Sequence, residues 1–222
     1  MITAVIPVYN EPKVLEFRAR LIHALNNLPY MAGYWDIVWV VGDPQAFAQL
    51  ENASGGCERI IYEKDRGLGR ALTLGFRAVD PSSEWVLTMD SDLQQLPEEI
   101  PALWEVFLED NDTPDIIIGA KGIFDSRGRT KRLVSKIFYW ALRTLHGVKV
   151  RDMGSNFRLY RRWVVRQLPL EEAPSGFKFM QWALFKAWDI GANVIEIPTT
   201  FTERTAGKSK MSLWRELRER LL

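Results

Sequence analysis

Short apolar runs alternate with stretches of helical periodicity through the first half of the chain. The strand-like and helix-like stretches form four consecutive pairs: Thr3–Val8 and Lys13–Leu28, Ile37–Val41 and Pro44–Glu51, Arg59–Glu63 and Gly69–Val79, and Trp85–Met89 and Glu98–Asp110. The runs DIVWVV and WVLTM lack strict polar–apolar alternation, which is typical of parallel strands covered on both faces. The pattern therefore predicts a Rossmann-like, three-layer α/β/α fold with a mostly parallel central sheet.

Composition limits the classes of protein that this chain can represent. Its 222 residues, 47% of them hydrophobic, are enough for one large α/β domain. A net charge of +1 argues against a nucleic-acid partner bound through bulk electrostatics. Cys57 is the one cysteine, which excludes an intrachain disulfide or a multi-cysteine metal site. No uncharged apolar run approaches the roughly 20 residues of a membrane-spanning helix, so we expect the chain as given not to cross a bilayer.

Polar and glycine-rich segments follow each predicted strand. PVYNEP follows the first strand, Gly42-Asp43 the second, KDRGLGRA the third and DSDLQ the fourth. In open α/β sheets, ligands bind outside the carboxyl ends of the strands. The sequence therefore predicts a ligand site built from these four segments.

Asp90 and Asp92 are the most informative pair in these segments. Two carboxylates at the end of one buried strand repel each other, and a divalent cation relieves the repulsion. Mg²⁺ and Mn²⁺ accept a few carboxylates, an amide oxygen such as that of Gln94, and phosphate and water at the remaining positions. The pair therefore favours a diphosphate site. The alternative is a capped turn, with Asp or Ser as the N-cap and Pro97–Glu99 as the first helical turn.

Six segments in one order carry a resemblance to a known family. They are VIPVYNE at residues 5–11, GLGRALTLGF at 67–76, DSDLQQLPEE at 90–99, RDMGSNFRLYRR at 151–162, SGFKF at 175–179 and EIPTTFTERTAGKSKM at 196–211. The chain resembles the family 2 glycosyltransferases of GT-A fold, and among them the dolichyl-phosphate mannose synthases and other polyprenyl-phosphate glycosyltransferases. The resemblance covers nearly the whole chain.

The resemblance implies a metal-dependent, inverting transfer of a sugar to a polyprenyl or dolichyl phosphate. Mannose, from GDP-mannose, is the expected sugar, and Mg²⁺ or Mn²⁺ the expected cofactor. Asp90, Asp92 and Gln94 would bind the metal, and Asp90, Asp92 and Arg204 would act in catalysis. The expected donor contacts are Pro7, Tyr9, Glu11, Asp43, Gly69, Asp90, Ser209 and Lys210. The expected contacts with the acceptor phosphate are Lys121, Arg132, Ser135 and Arg204.

A basic, aromatic-rich segment suggests contact with a membrane surface. Residues 117–147 carry seven Lys or Arg side chains, and apolar residues recur there at helical spacing, as in a helix lying in a membrane interface. A helix packed on the core with a solvated basic face is the alternative. We expect a catalytic domain over residues 1–211, an amphipathic helix over 212–222 in the same unit, and a peripheral location on the cytoplasmic face of a membrane. A membrane partner subunit is a further expectation.

Several positions leave alternatives open. Gly42 stands where the family usually has an acidic residue, which leaves the nucleobase and sugar open. Gly67 and Gly69 suit close approach of the donor or a plain strand-to-helix turn. Asp152 suits donor binding, base catalysis or loop architecture. A UDP-sugar donor, a saccharide acceptor, or an inactive nucleotide-binding partner subunit are the alternative functions.

Overall fold

The computed structural model describes residues 1–109, 114–121 and 150–202. Its strands are β1 Ile2–Val8, β2 Trp35–Val41, β3 Glu58–Tyr62, β4 Trp85–Thr88, β5 Ile116–Lys121, β6 Arg158–Arg161 and β7 Val194–Thr199. Its helices are α1 Val14–Asn26, α2 Pro44–Ala53, α3 Leu68–Arg77, α4 Ile100–Glu109, α5 Arg162–Gln167 and α6 Phe179–Asp189. The eight elements predicted in the first half of the chain are confirmed, with boundaries that differ by a few residues.

The strands form one sheet in the order β3-β2-β1-β4-β6-β5-β7. The pairs β1–β2, β1–β4, β2–β3 and β5–β7 are parallel, and β6 runs antiparallel to both β4 and β5. The predicted mostly parallel sheet is therefore confirmed. Because β6 is reversed, the residues just before it lie at the edge where the other six strands end.

Each face of the sheet has its own hydrophobic layer. One layer includes Phe17 of α1 together with Trp39 of β2, and the other includes Phe76 of α3 and Phe179 of α6. In β2, Trp39 faces the first layer while its neighbour Val38 faces the second, as expected for a strand covered on both sides. Burial on both faces explains the near-continuous apolar strands in the sequence. The architecture is the predicted α/β/α arrangement.

A partly buried ion pair joins α1 to the outer strand β3. Arg18 donates to both oxygens of Glu58, at 2.8 and 2.5 Å. The indole of Trp39 and the backbone N–H of Gly55 also donate to this carboxylate, at 3.0 and 2.9 Å. Burial alone raises the pKa of Glu58, but these hydrogen bonds outweigh it and lower the pKa below its ordinary value. The charged carboxylate therefore stabilises the fold.

None of the described helices is both long enough and apolar enough to span a bilayer.

Candidate functional site

The carboxyl edge of the sheet brings the predicted site segments together. The loops after β1, β2, β3 and β4, the end of β5, the segment before β6 and the segment after β7 all lie at this edge. Parallel strands that start together also end together, so residues far apart in sequence become neighbours there. Arg132, Ser135, Arg204, Ser209 and Lys210 lie outside the described residues, and their roles stay predictions.

The DSDLQ loop after β4 is held by hydrogen bonds at several points. Ser91 donates its hydroxyl to the carbonyl of Pro7 at 3.0 Å, which ties the loop to the end of β1. Asp92 Oδ1 accepts the backbone N–H of Gln94 at 3.1 Å, across Leu93, which adopts a left-handed φ of 58°. Asp90 Oδ1 accepts a hydrogen bond from Asn156 Nδ2 at 2.9 Å. Both acids are partly buried at the end of a fully buried strand.

The capped-turn alternative is partly correct. Pro97–Glu99 does form a 3₁₀ turn that runs directly into α4. Its N-cap residue is Leu96, however, and no side chain caps it. Asp90 and Asp92 therefore do not cap this helix, although Asp92 accepts a backbone N–H within its own loop.

The strand end of β7 is attached to the same loop. Thr202 donates its backbone N–H to the carbonyl of Gln94 at 2.8 Å and its hydroxyl to the carbonyl of Leu93 at 2.9 Å. The Gln94 side-chain amide in turn points its Nε2 toward the Thr202 carbonyl at 3.5 Å. The segment that precedes Arg204 in sequence is therefore fixed against the acidic loop.

The donor set at this loop fits a hard cation that shares its coordination with a ligand. Asp90 and Asp92 provide carboxylates and Gln94 an amide, all of them oxygen donors of the kind that Mg²⁺ and Mn²⁺ accept. Among the described residues, no group of three or more His, Cys, Asp or Glu side chains could hold a metal. A cation bound here would need phosphate and water oxygens to complete its shell. The residues present therefore fit a metal that arrives with a diphosphate.

The Tyr9 ring packs against Gly42 where β1 and β2 end. A Cβ built on Gly42 would lie 3.1 Å from Tyr9 Cδ2 and 3.1 Å from the carbonyl oxygen of Glu63. The Tyr9 ring thus lies against Gly42, and the guanidinium of Arg66 lies over the ring at 4.9 Å from its centroid. The absence of an acidic side chain at position 42 is what makes room for the ring. Arg66 has no role in the sequence prediction, although it stands in the KDRGLGRA segment.

One of the other predicted donor contacts, Asp43, has a structural role in the fold. Asp43 caps α2, since its Oδ1 accepts the backbone N–H of Gln45 at 3.0 Å. Pro7 is partly buried in β1, and Glu11 is partly buried on the loop that leads into α1. Their contacts with a donor stay predictions.

Gly67 and Gly69 at the start of α3 are covered by another loop of the same chain. A Cβ on Gly69 would lie 2.0 Å from the carbonyl oxygen of Pro174, and one on Gly67 would lie 2.4 Å from that of Ser175. Arg70 also donates its backbone N–H to Ser175 at 3.1 Å. The glycines therefore admit backbone carbonyls of the SGFKF region, and the predicted donor contact of Gly69 stays a prediction.

Lys121 is the last residue of β5, at the carboxyl edge of the sheet. Its side chain is partly buried, and Nζ lies 4.1 Å from the centroid of the Phe201 ring. An ammonium group in this position is attracted to the face of the aromatic ring. The structure thus places one of the predicted acceptor-phosphate residues at the same sheet edge as the acidic loop.

Asp152 has an architectural role among the three alternatives left open. Its Oδ2 accepts the backbone N–H of Lys121 at 3.1 Å, and its Oδ1 accepts that of Gly154 at 3.2 Å. Glu196 of β7 accepts the backbone N–H groups of Arg151 and Asp152 at 2.6 and 3.1 Å. These bonds fix the segment before β6, and Asp152 orders the loop that carries Asn156.

The model of the family described as Glycosyl transferase family 2 matches residues 3–170. This chain belongs to glycosyl transferase family 2. The family assignment made from the sequence motifs is confirmed. The matched region contains the acidic loop, Gly67 and Gly69 at the start of α3, Lys121 and Asn156.

Two related sequences have names that specify a lipid phosphate. The polyprenol monophosphomannose synthase of Mycolicibacterium smegmatis is 30% identical over 219 residues, with 94% of this chain and 80% of that protein covered. The undecaprenyl-phosphate mannosyltransferase of Micrococcus luteus is 31% identical over 152 residues, with 66% of this chain and 61% of that protein covered. The chain thus spans less than two thirds of the Micrococcus protein.

A solved structure confirms the fold. Glucosyl-3-phosphoglycerate synthase from Mycobacterium tuberculosis, in complex with Mn²⁺, UDP and phosphoglyceric acid, superposes with a TM-score of 0.71 at 18% identity. The alignment covers 98% of this chain and 73% of that one. The GT-A architecture expected for this family 2 glycosyltransferase is therefore confirmed.

Proposed function

We propose that this family 2 glycosyltransferase moves a sugar from a nucleotide-sugar donor to the phosphate of a polyprenyl or dolichyl lipid. The proposed donor is GDP-mannose, and the proposed place is the surface of a membrane on its cytoplasmic side. The observation that carries the proposal is the placement of the acidic pair and Lys121 at one edge of the sheet. The acidic pair lies on the loop after β4 and Lys121 ends β5, and β6 separates these two strands. With neighbouring strands about 4.8 Å apart, the backbones of β4 and β5 run roughly 10 Å from each other.

That spacing suits a reaction between two anionic substrates. Asp90 and Asp92, with Gln94 beside them, would hold a cation, and Lys121 would hold the acceptor phosphate. When bound, the cation neutralises the charge that develops on the departing nucleoside diphosphate. Binding each anion to its own group keeps the two phosphates apart until they are aligned.

The proposed chemistry needs little proton transfer. An oxygen of the acceptor phosphate bonds to the anomeric carbon from the face opposite the diphosphate, and the bond to the diphosphate oxygen breaks with its electron pair. The anomeric configuration inverts. Because the acceptor phosphate is already anionic, no general base has to activate it. The role of the chain's own residues is to orient the two substrates, which agrees with an Asp152 occupied by backbone N–H groups.

The relatives support the acceptor class and a divalent cation. The Mycolicibacterium and Micrococcus proteins have names that specify mannose transfer to polyprenol or undecaprenyl phosphate. The structural relative binds Mn²⁺ together with UDP. Either Mg²⁺ or Mn²⁺ agrees with the oxygen donors of the acidic loop.

A panel of donors and acceptors tests the proposal. Purified protein is incubated with GDP-mannose or UDP-glucose, with and without a short polyprenyl phosphate, and the lipid product is detected by mass spectrometry. We expect a hexosyl-phosphate lipid from GDP-mannose that forms with Mn²⁺ or Mg²⁺ and disappears with excess chelator. Donor hydrolysis or sugar transfer that does not depend on the polyprenyl phosphate would contradict the proposed acceptor.

A UDP-sugar donor is the second candidate, and the Tyr9–Gly42 contact favours testing it. This contact occupies the position where the family usually has an acidic residue, so nucleobase selection need not follow the family pattern. Product from UDP-glucose but not from GDP-mannose would establish this candidate. Nucleotide binding without turnover of any sugar nucleotide would instead support the inactive partner subunit.

A further inference from the structure

Asn156 contacts the acidic loop although it is not part of it. This side chain is only 2% exposed, and its Nδ2 donates to Asp90 Oδ1 at 2.9 Å. Its own carbonyl oxygen accepts the hydroxyl of Thr88, the last residue of β4, at 2.7 Å. Asn156 is therefore bonded both to the strand that carries the acid and to the acid itself.

The amide of Asn156 has one group without a partner. Its Oδ1 is buried and has no hydrogen-bond partner. The amide orientation follows from chemistry, because an ionised carboxylate accepts hydrogen bonds and cannot donate them. Leaving a buried acceptor unpaired costs about 1–3 kcal/mol. Asn156 is therefore held beside Asp90 at a cost in stability, which favours a functional role for its contact with that carboxylate.

The segment that carries Asn156 is fixed by its neighbours. The Ser155 hydroxyl donates to the Gly119 carbonyl at 2.7 Å and accepts the Gln95 side-chain amide at 3.0 Å. Arg158, fully buried, donates to the carbonyls of Met153, Ser155 and Met180 at 2.8, 2.8 and 2.9 Å. With Ser155 and Arg158 held on either side of it in the chain, Asn156 has little freedom to move away from Asp90.

We propose that Asn156 is a positioning residue of the cation site. Its Nδ2 donates to Asp90 Oδ1 and so fixes the orientation of the carboxylate that would bind the cation. The inference rests on the proposed function, since it assigns Asp90 to the cation. Residues that orient metal ligands typically change metal affinity by about 10- to 100-fold when they are replaced.

The test measures nucleotide affinity with and without metal. GDP and UDP are titrated by calorimetry into the wild-type protein and into Asn156→Ala and Asn156→Leu, with Mn²⁺ or with chelator. We expect both variants to lose roughly 10- to 100-fold in affinity with Mn²⁺ and to keep the metal-free affinity. Ser83→Ala is the matched control. Ser83 is also 2% exposed and has a buried hydrogen bond, to Thr3 at 2.6 Å, at the opposite edge of the sheet.

The outcomes separate this inference from the proposed function. If Mn²⁺ strengthens nucleotide binding to the wild type, Asp92→Ala removes the effect and both Asn156 variants keep it, the inference is wrong and the proposed cation site stands. If Mn²⁺ has no effect on the wild type, the proposed cation site fails, and the inference with it. Equal losses with and without metal, together with a lower unfolding temperature than Ser83→Ala, would assign Asn156 a purely structural role and overturn the inference.

Discussion

Replacing Gly69 by alanine distinguishes two explanations for the glycine pair at the start of α3. The sequence motif predicts that the glycine allows a donor to approach, whereas the structure places a loop of the same chain there. A Cβ at position 69 would lie 2.0 Å from the carbonyl oxygen of Pro174, 2.9 Å from that of Gly176 and 2.8 Å from Phe179 Cβ. Two of these three atoms are backbone oxygens, which cannot move aside by a change of rotamer.

The size of the effect follows from these distances. Contacts of a Cβ below 3.0 Å are essentially never found, so the Pro174 carbonyl at 2.0 Å has to retreat by about 1 Å. Overpacking of this kind costs typically about 1–3 kcal/mol of unfolding free energy. At roughly 2–4 °C per kcal/mol for a domain of this size, the unfolding temperature should fall by about 2–12 °C.

Thermal unfolding followed by circular dichroism measures this change, and Gly56→Ala is the control. Gly56 has no atom within 4 Å of its built Cβ, so its replacement should leave the unfolding temperature within about 1 °C of the wild type. An unfolding temperature of Gly69→Ala equal to that of the control would refute the packing explanation. If the same variant also lost affinity for GDP or UDP with Mn²⁺, the donor-contact prediction would be supported in its place.

Four further predictions concern the site and the fold. Asp92→Ala should abolish transfer because it removes a cation ligand, while the protein stays folded with an unfolding temperature lower by only a few degrees, since one hydrogen bond to Gln94 is lost; wild-type transfer that persists in excess chelator would contradict this role. Arg204→Ala should raise the KM for the lipid phosphate by roughly tenfold or more, as expected for a lost charge-assisted hydrogen bond, and unchanged acceptor kinetics would contradict the assignment. Gly42→Asp should displace the Tyr9 ring and change the ratio of GDP affinity to UDP affinity. Gly42→Ala is the control, because it adds a Cβ without charge. An unchanged ratio would show that this loop does not select the nucleobase. Hydrogen bonds lower the pKa of Glu58, so the charged carboxylate stabilises the fold above about pH 4.3, and this stabilisation is lost as the pH falls through the folded-state pKa. The difference in unfolding temperature between wild type and Glu58→Gln should therefore shrink below about pH 4. A difference that stays constant with pH would show that the charge contributes nothing to stability.

The first half of the fold follows from local sequence patterns. β2 is apolar throughout because it is covered on both faces, and the amphipathic α1 buries Val14, Phe17 and Leu21 on one side. These patterns depend only on residues that are close together in the sequence, so the sequence alone is enough to locate the strands and helices. The acidic loop was also predictable, since Asp90 and Asp92 directly follow a short, fully buried strand.

The strand order depends on contacts that no local pattern contains. β6 lies between β4 and β5 and runs antiparallel to both, although it follows them in sequence. This reversal is what brings Asn156 beside Asp90, 66 residues earlier in the chain. The contact of Gly69 with the carbonyl of Pro174 likewise joins residues that are far apart in the sequence. Sequence motifs located the pieces of the site, and the order of the strands determines which pieces touch.

Gly42 and Asn156, whose roles the sequence motifs do not predict, have one physical explanation. At Gly42 a side chain is missing because the Tyr9 ring occupies its space, and at Asn156 a buried amide is present because the Asp90 carboxylate needs a donor. The residue type at each of these two positions is therefore determined by a contact with a neighbouring strand and not by the local sequence. Tyr9 with Gly42 lies on the β1–β2 side of the edge and Asp90 with Asn156 on the β4–β6 side. A change of donor nucleotide would act mainly through the first pair, and a change in cation binding mainly through the second.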